Sequence, residues 1–226
     1  MLTPVAVGSI LLTVLGTPNR DRVSERRAAT RREILDAAWA LAREVGLANL
    51  TLRDLARRVG MQPPSLYSHF ESKNAIYDAM FGEAWSEYEA TLSELGRKIA
   101  EVDDDPRAAI QRISRHFFDF AVADHPRYQL MNERILPGFE PSPESYAPSV
   151  RVFEHGWRVT QSLADITDED HLIWISILGG LVNQHYANDP GGTRLSSALV
   201  RAVDMWADAV GLPPEKATPR ESGRTK

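Results

Sequence analysis

The chain contains no cysteine among its 226 residues. Disulfide bonds, thiolate metal ligands and cysteine nucleophiles are therefore excluded, and nothing in the composition points to an oxidising compartment, so a cytoplasmic location is expected. Beyond the apolar first eighteen residues, long hydrophobic runs are also missing. The apolar segment from Leu172 to Val182 is about half of the ~20 residues that a membrane-spanning helix needs. This segment is therefore expected to lie in a protein core, without contact with a membrane.

Motifs typical of common enzyme classes are absent as well. There is no Gly-x-Ser-x-Gly sequence, no His-Glu-x-x-His zinc motif and no phosphate-binding glycine loop, and the six histidines are not spaced like metal ligands. We expect no catalytic residue, no metal and no cofactor. Two alternatives stay open at this point, namely a small helical enzyme with an aromatic pocket and a protein-interaction module.

The net charge of −5 hides an uneven distribution along the chain. Residues 19–73 hold eleven Lys and Arg against seven Asp and Glu, a balance of +4, whereas residues 74–226 hold fifteen against twenty-four, a balance of −9. A basic segment on an acidic body suggests a phosphate-bearing partner at one end of the protein. Ordinary solvated arginines would produce the same pattern.

Apolar residues recur at helical spacing throughout, which predicts an all-α fold. A first helix is expected over residues 23–45 and a second over 51–59, with Thr51 as its N-cap. Gly60 ends the second helix, and Pro63 with Pro64 suits the opening turn of a third helix of about seven residues. Further helices are expected at 72–95, 107–123, 126–136, 144–165, 169–187 and 194–211.

Two short helices separated by a glycine-bearing turn and preceded by a longer helix are typical of a helix-turn-helix. We therefore divide the chain into a disordered extension (1–19), an N-terminal three-helix helix-turn-helix DNA-binding domain (20–72), a helical-bundle ligand-binding and dimerisation domain (73–211) and a flexible tail (212–226). The apolar first eighteen residues do not match a secretory signal because they lack a basic start and contain Pro4 and Gly8.

The segment RREILDAAWALAREVGLANLTLRDLARRVGMQPPSLYSHFESKNAIYDAMF resembles the N-terminal domain of the TetR/AcrR family. In that family a glycine turn leads into the recognition helix, Tyr-x-His-Phe closes it, and a lysine opens the fourth helix; here these are Gly60, Tyr67, His69, Phe70 and Lys73. The resemblance is strong over residues 28–82 and is only an all-helical pattern beyond. It implies a homodimeric transcriptional regulator, with repression the expected mode, released from palindromic operator DNA by a small-molecule effector.

Candidate DNA contacts divide into groups that position the protein and groups that read bases. Tyr67 and His69 can donate hydrogen bonds to phosphates, although each could instead be an ordinary core or capping residue. The recognition helix has no Lys or Arg, so base contacts should be few, with Gln62 suited to adenine. Arginines near the start of the first helix could form an arm in the minor groove or a solvated charge run. The predicted DNA-contacting residues are Arg26, Arg27, Thr51, Arg53, Gln62, Pro63, Pro64, Ser65, Tyr67, Ser68, His69 and Lys73.

The C-terminal part is rich in aromatic residues at helical spacing, which is typical of a core and also of an apolar ligand cavity. The predicted ligand-binding residues are Trp85, Phe117, Phe120, Met131, Trp157, Gln161, Trp174 and Leu178. By resemblance to the family, the two last helices are expected to pair with those of a second copy, although burial within one chain would explain the same pattern. The predicted dimerisation residues are Ile175, Gly179, Val182, Leu199, Ala202 and Trp206.

Overall fold

The computed structural model describes residues 18–101 and 105–214, and every regular element within those ranges is helical. The all-α prediction is confirmed. Nine α-helices follow one another: α1 (Pro18–Val45), α2 (Leu52–Arg58), α3 (Pro63–Leu66), α4 (Lys73–Glu101), α5 (Pro106–Ala123), α6 (His125–Asn132), α7 (Pro143–Leu163), α8 (Asp168–Asn188) and α9 (Arg194–Ala209). A 3₁₀ turn at Leu47–Asn49 separates the first two. Most of the predicted extension and tail lies outside the described residues.

The chain forms two compact units that meet between Ile76 and Tyr77, so α4 begins in the first unit and continues in the second. No helix in the described ranges has both the length and the apolar composition to cross a membrane.

The first unit is held together by apolar side chains from its three helices. Ile34 of α1, Leu55 of α2 and Leu66 of α3 are at most 1% exposed. Gly60 takes a φ of 68° in the turn between α2 and α3, a conformation that costs glycine little and other residues much. The turn therefore fixes where α3 begins relative to α2.

Several helix boundaries differ from the sequence-based prediction: α4 ends at Glu101, where residue 95 was expected, and α6 ends at Asn132, where residue 136 was expected. The first helix begins at Pro18, five residues earlier than residue 23, and α3 contains only four residues where about seven were expected. After Leu66 the chain continues in tighter turns, because the amide of His69 donates to the carbonyl oxygen of Leu66 at 2.9 Å. Tyr67 and His69 thus follow the helix and do not belong to it.

The core of the second unit lies between α5, α8 and α9. Phe118, Val182 and Leu199 are all but inaccessible there. One polar pair is buried among them: Trp174 Nε1 donates to Ser114 Oγ at 2.9 Å, and that hydroxyl donates to the carbonyl oxygen of Ile110 at 2.7 Å. Both groups are satisfied, so the pair orients the indole without leaving a buried donor unpaired.

The start of α7 is fastened to α4 by one carboxylate. Asp78 accepts hydrogen bonds from the Ser142 amide at 2.6 Å, the Ser142 hydroxyl at 2.9 Å and the Ser145 hydroxyl at 2.9 Å. The helices approach closely here, since a Cβ placed on Gly82 would lie 3.1 Å from Ser145 Oγ. These hydrogen bonds therefore hold the start of α7 against α4.

Arg107, in the first turn of α5, closes the second unit at its other end. Its side chain is 8% exposed and donates to the Asp208 carboxylate at 2.5 Å and to the carbonyl oxygens of Leu212 and Pro213 at 2.9 Å each. The guanidinium thus ties the beginning of α5 to the segment that follows α9.

We predict that Arg107→Ala lowers the free energy of unfolding by about 2–3 kcal/mol, because several hydrogen bonds to a charged group are lost and two carbonyl groups lose their partner. Urea unfolding of the purified protein measures the change. The matched control is Arg201→Ala at an exposed position on α9, which is expected to stay within about 0.5 kcal/mol of wild type. Equal stability of the two variants would contradict the closing role of Arg107.

Candidate functional site

Most of the residues predicted to contact DNA lie in the segment from Gln62 to His69. Leu66 and Phe70 are 1% and 3% exposed and anchor the segment to the core of the first unit, whereas Tyr67 is 55% exposed. The side chain of Gln62 makes no capping bond at the start of α3. Pro64, Ser65 and Ser68 are exposed as well, and Pro63 and His69 are half-buried.

Two arginines of α1 hold the backbone of this segment. Arg27 Nη2 donates to the carbonyl oxygen of Ser68 at 3.1 Å, and Arg31 donates to the carbonyl oxygen of His69. The Arg31 guanidinium also lies 4.0 Å from the centre of the Phe70 ring, a cation–π contact. Sequence reasoning missed Arg31, although its position one helical turn after Arg27 was a usable signal.

The prediction that Arg26 and Arg27 belong to a flexible minor-groove arm is wrong, because both lie inside α1. An α-helix is about 10–12 Å wide and the minor groove about 6 Å, so a helical segment does not enter it. Both side chains are exposed, and contact with the phosphate backbone stays a prediction.

Thr51 caps α2. Its hydroxyl accepts from the Asp54 amide at 3.1 Å and donates to the Asp54 carboxylate at 2.6 Å. This bond from Thr51, opposed in part by desolvation and helped by the nearby arginines, lowers the pKa of Asp54. The hydroxyl proton of Thr51 is thus already donated within the first unit. A phosphate contact from Thr51 stays a prediction. Arg53, next along the helix, is exposed.

Lys73 and His69 flank the turn before α4. Partial burial lowers the pKa of Lys73 through desolvation of its ammonium group. Nδ1 of His69 is buried and makes no hydrogen bond with the part of the chain that is described. Lys73 is the first residue of α4, as the sequence predicts.

The second unit contains a cavity of about 320 Å³ between α4, α5, α6, α7 and α8. Of the residues predicted to bind a ligand, Trp85, Phe117, Trp174 and Leu178 lie in its wall. Sequence reasoning missed most of the others. The cavity is lined by Trp85, Tyr88, Leu92, Ile113, Phe117, Tyr128, Asn132, Val152, Phe153, Gly156, His171, Trp174, Ile175, Ser176, Leu178 and Gly179.

The other four predicted ligand residues lie outside this wall. Phe120 packs under the Arg127 guanidinium at 3.8 Å, and Met131 lines a smaller pocket of about 220 Å³. Trp157 packs edge-on against His171 with ring centres 5.2 Å apart, and Gln161 is exposed. The helical period pointed to missed wall residues, since Tyr88 and Leu92 follow Trp85 on the same face of α4.

The polar groups of the cavity wall are neutral. It contains no Asp, Glu, Lys or Arg side chain. Burial, helped by the nearby carboxylate of Glu133, raises the pKa of Tyr128 to about 12, so its hydroxyl stays protonated. Desolvation lowers the pKa of His171, whose Nδ1 lies 3.1 Å from Thr160 Oγ1, although the charge of Asp168 opposes the shift.

Three of the six residues predicted for dimerisation are buried within one chain, and a dimer contact from the other three, Ile175, Gly179 and Ala202, stays a prediction. Val182, Leu199 and Trp206 are at most 4% exposed within one chain, and Trp206 Nε1 donates to the carbonyl oxygen of Asp170 at 2.9 Å. Ile175 and Gly179 line the cavity, and Ala202 is half-buried. The exposed large apolar residues of α8 and α9 are Leu172 (55%), Ile173 (46%), Val200 (43%) and Met205 (64%).

We predict that the stability of the protein falls as the pH drops below about 6.5, the pKa of histidine in an unfolded chain. The folded pKa of His171 is lower, so the unfolded state binds the proton first and the free energy of unfolding rises with pH in the window between the two values. His171→Gln should flatten this dependence when urea unfolding at about pH 5.5 is compared with about pH 7.5.

His116 provides a parallel variant, because burial lowers its pKa also, partly offset by Asp119. His116→Gln should remove its own share of the slope and leave that of His171. A His171→Gln protein with the pH dependence of wild type would show that this histidine does not titrate as its surroundings indicate.

Comparison with known proteins places these features in a family. Residues 34–80 match the sequence profile described as bacterial regulatory proteins, tetR family. The class A tetracycline repressor protein from transposon 1721 of Escherichia coli is 39% identical over 182 residues, which cover 78% of this chain and 80% of the repressor.

Solved structures agree on the fold. A TetR variant from Acinetobacter baumannii AYE in complex with minocycline superposes with a TM-score of 0.51 at 20% identity, covering 78% of this chain and 93% of that one. FadR from Bacillus subtilis in complex with stearoyl-CoA gives 0.57 at 13% identity, covering 77% and 96%. Together with the 39% identity over 80% of a repressor, the profile match over the helix-turn-helix shows that this chain belongs to the TetR family of transcriptional regulators.

Proposed function

We propose that this regulator represses transcription by binding a palindromic operator as a homodimer and leaves it when a small molecule occupies the cavity of the second unit. The observation that carries the proposal is the exposed segment from Gln62 to Ser68, anchored by the buried Leu66 and Phe70. A surface segment that is polar outside and fixed inside is suited to the major groove.

Positioning and reading fall to different residues in this proposal. Tyr67, with its exposed hydroxyl, and Lys73, at the start of α4, contact phosphate oxygens and set the register. Gln62 reads an adenine through its amide, Ser65 contacts a base edge, and Pro63 or Pro64 touches a thymine methyl group. His69, Ser68, Arg26, Arg27, Thr51 and Arg53 are the remaining candidate contacts.

Nuclease protection of the intergenic DNA beside its own gene tests the function directly. We predict that Gln62→Ala relaxes preference at one base step, at a cost of about 1–3 kcal/mol on the preferred sequence alone. Lys73→Ala should weaken binding to all sequences alike and lower the salt slope by about one unit. The matched control is Lys98→Ala, a lysine at the far end of α4 in the second unit, which should change neither quantity.

Binding that shows no sequence preference in the wild-type protein would refute the operator proposal. If Lys73→Ala left affinity and salt slope at the wild-type values, the phosphate role of Lys73 would be wrong while the operator proposal stood.

The dimer is proposed to form through the exposed apolar residues of α8 and α9. Leu172 and Ile173 share one face of α8 with Glu169, Ser176 and Ile177, and Met205 of α9 is 64% exposed. An exposed apolar patch of this kind marks an interaction surface in a protein that must otherwise remain dispersed. A second copy is the proposed occupant because a palindrome requires a two-fold partner.

We predict that Ile173→Glu and Met205→Glu shift the protein from dimer to monomer in light scattering and retain a cooperative unfolding transition, because both side chains are exposed within one chain. Trp206→Glu should instead disrupt folding, since that indole is buried. Val150→Glu, at an exposed apolar position on α7, is the control and should stay dimeric. Dimers of wild-type strength in both of the first two variants would contradict this interface.

Release by an effector is supported by the shared use of α4. This helix supplies Trp85, Tyr88 and Leu92 to the cavity and begins with Lys73. A ligand acts only if it binds the form with low DNA affinity more tightly, and the operator then weakens ligand binding by the same factor. A typical coupling of ~1–3 kcal/mol corresponds to roughly 5–150-fold in operator affinity. The relatives named above bind or are named for tetracycline-type molecules or an acyl-CoA, so the family accepts ligands of differing chemistry.

A further inference from the structure

One donor in the cavity wall is buried without a partner. Trp85 is 4% exposed, and its Nε1 makes no hydrogen bond with the described residues. A buried N–H left in that state carries the full cost of its lost hydration. Trp85 also lines the cavity, which makes an acceptor on a bound molecule a candidate partner for this N–H.

Three other polar groups of the wall are engaged within the protein. Trp174 Nε1 donates to Ser114, and Ser176 Oγ donates to the carbonyl oxygen of Leu172 at 2.7 Å. Asn132 Nδ2 donates to the carbonyl oxygen of Tyr128 at 3.1 Å. The indole of Trp85 therefore differs from that of Trp174, although both belong to the same wall.

The rest of the wall decides the class of the ligand. Six aromatic rings line the cavity, those of Trp85, Tyr88, Phe117, Tyr128, Phe153 and Trp174, and no Asp, Glu, Lys or Arg side chain does. A charged ligand would lose its hydration and meet no counter-charge. Flat apolar rings gain from stacking and edge contacts with such a wall.

We propose that the cavity takes an uncharged, flat, largely apolar molecule bearing a carbonyl oxygen, and that this oxygen accepts the hydrogen bond of Trp85 Nε1. The proposal names the ligand class of the effector site and in that sense rests on the proposed function. The contact is specific to the acceptor: a molecule of the same shape without the oxygen leaves the indole N–H unpaired.

The test uses three rigid probes of one shape, fluorene, fluorenone and fluorenone carboxylate, titrated by calorimetry into the full-length protein. Wild type should bind fluorenone roughly three- to tenfold more tightly than fluorene, the difference made by one net hydrogen bond. Fluorenone carboxylate should bind more weakly than fluorenone. Trp85→Phe should bind the first two equally, with its fluorene affinity within about twofold of wild type.

The matched control is Trp39→Phe, the same change at a buried indole of the first unit, which should keep the preference of wild type. A preference for fluorenone that survives Trp85→Phe would overturn the assignment, and so would tighter binding of the carboxylate or the failure of wild type to bind either neutral probe. Operator protection by the same preparation separates the two proposals. If the protein protects its operator and shows no preference for fluorenone, only the proposed ligand class is refuted. If it shows the preference and does not bind DNA, only the proposed regulatory function is refuted.

Discussion

A helix of four residues such as α3 is not stable by itself, and this constraint governs the first unit. Helix nucleation costs more than one hydrogen-bonded turn returns, so α3 exists only because its surroundings hold it. The surroundings do so from two sides. The buried side chains of Leu66, in α3, and Phe70, just after it, anchor it to the core, and Arg27 and Arg31 of α1 donate to the carbonyl oxygens of Ser68 and His69 in the turns that follow it. The exposed side chains can then face DNA from a fixed backbone, which limits the entropy lost on binding.

The same arginines show why a basic segment is not automatically a DNA-binding surface. Arg27 and Arg31 each donate a hydrogen bond to a backbone carbonyl oxygen, of Ser68 and His69 respectively. Arg58 pairs with Glu44 at 2.5 Å, and that contact lowers the pKa of Glu44. Arg27 and Arg31 therefore use part of their donor capacity within the first unit and keep their charge, whereas the charge of Arg58 is paired with a carboxylate. The number of arginines in the sequence thus overstates the number of guanidinium donors that a phosphate can meet.

How far the sequence predicts this protein depends on how local the responsible interaction is. Thr51 and Gly60 act within a few residues, and both the cap of α2 and the turn after it follow from the pattern. Helical periodicity also found the core, but it does not say which buried face meets which neighbour. Val182 and Trp206 were therefore predicted to lie at the dimer interface, whereas the structure buries them in the core of one chain. The cavity wall posed a harder problem, because it joins residues of five helices separated by more than ninety positions and no spacing rule connects Trp85 with Gly179.

The bond between Arg107 and the carbonyl oxygen of Pro213 joins positions 106 residues apart. A ribosome releases the chain from its N-terminus, so this contact is impossible until α9 has been made. The first unit needs no contact so distant in sequence, because its helices α1, α2 and α3 all lie before residue 77. During synthesis the two units thus mature in order: the first unit can fold early, whereas the core of the second unit stays incomplete until α9 supplies Leu199, Val203 and Trp206. A chain that ended before α9 would contain a folded first unit and a second unit whose core is incomplete.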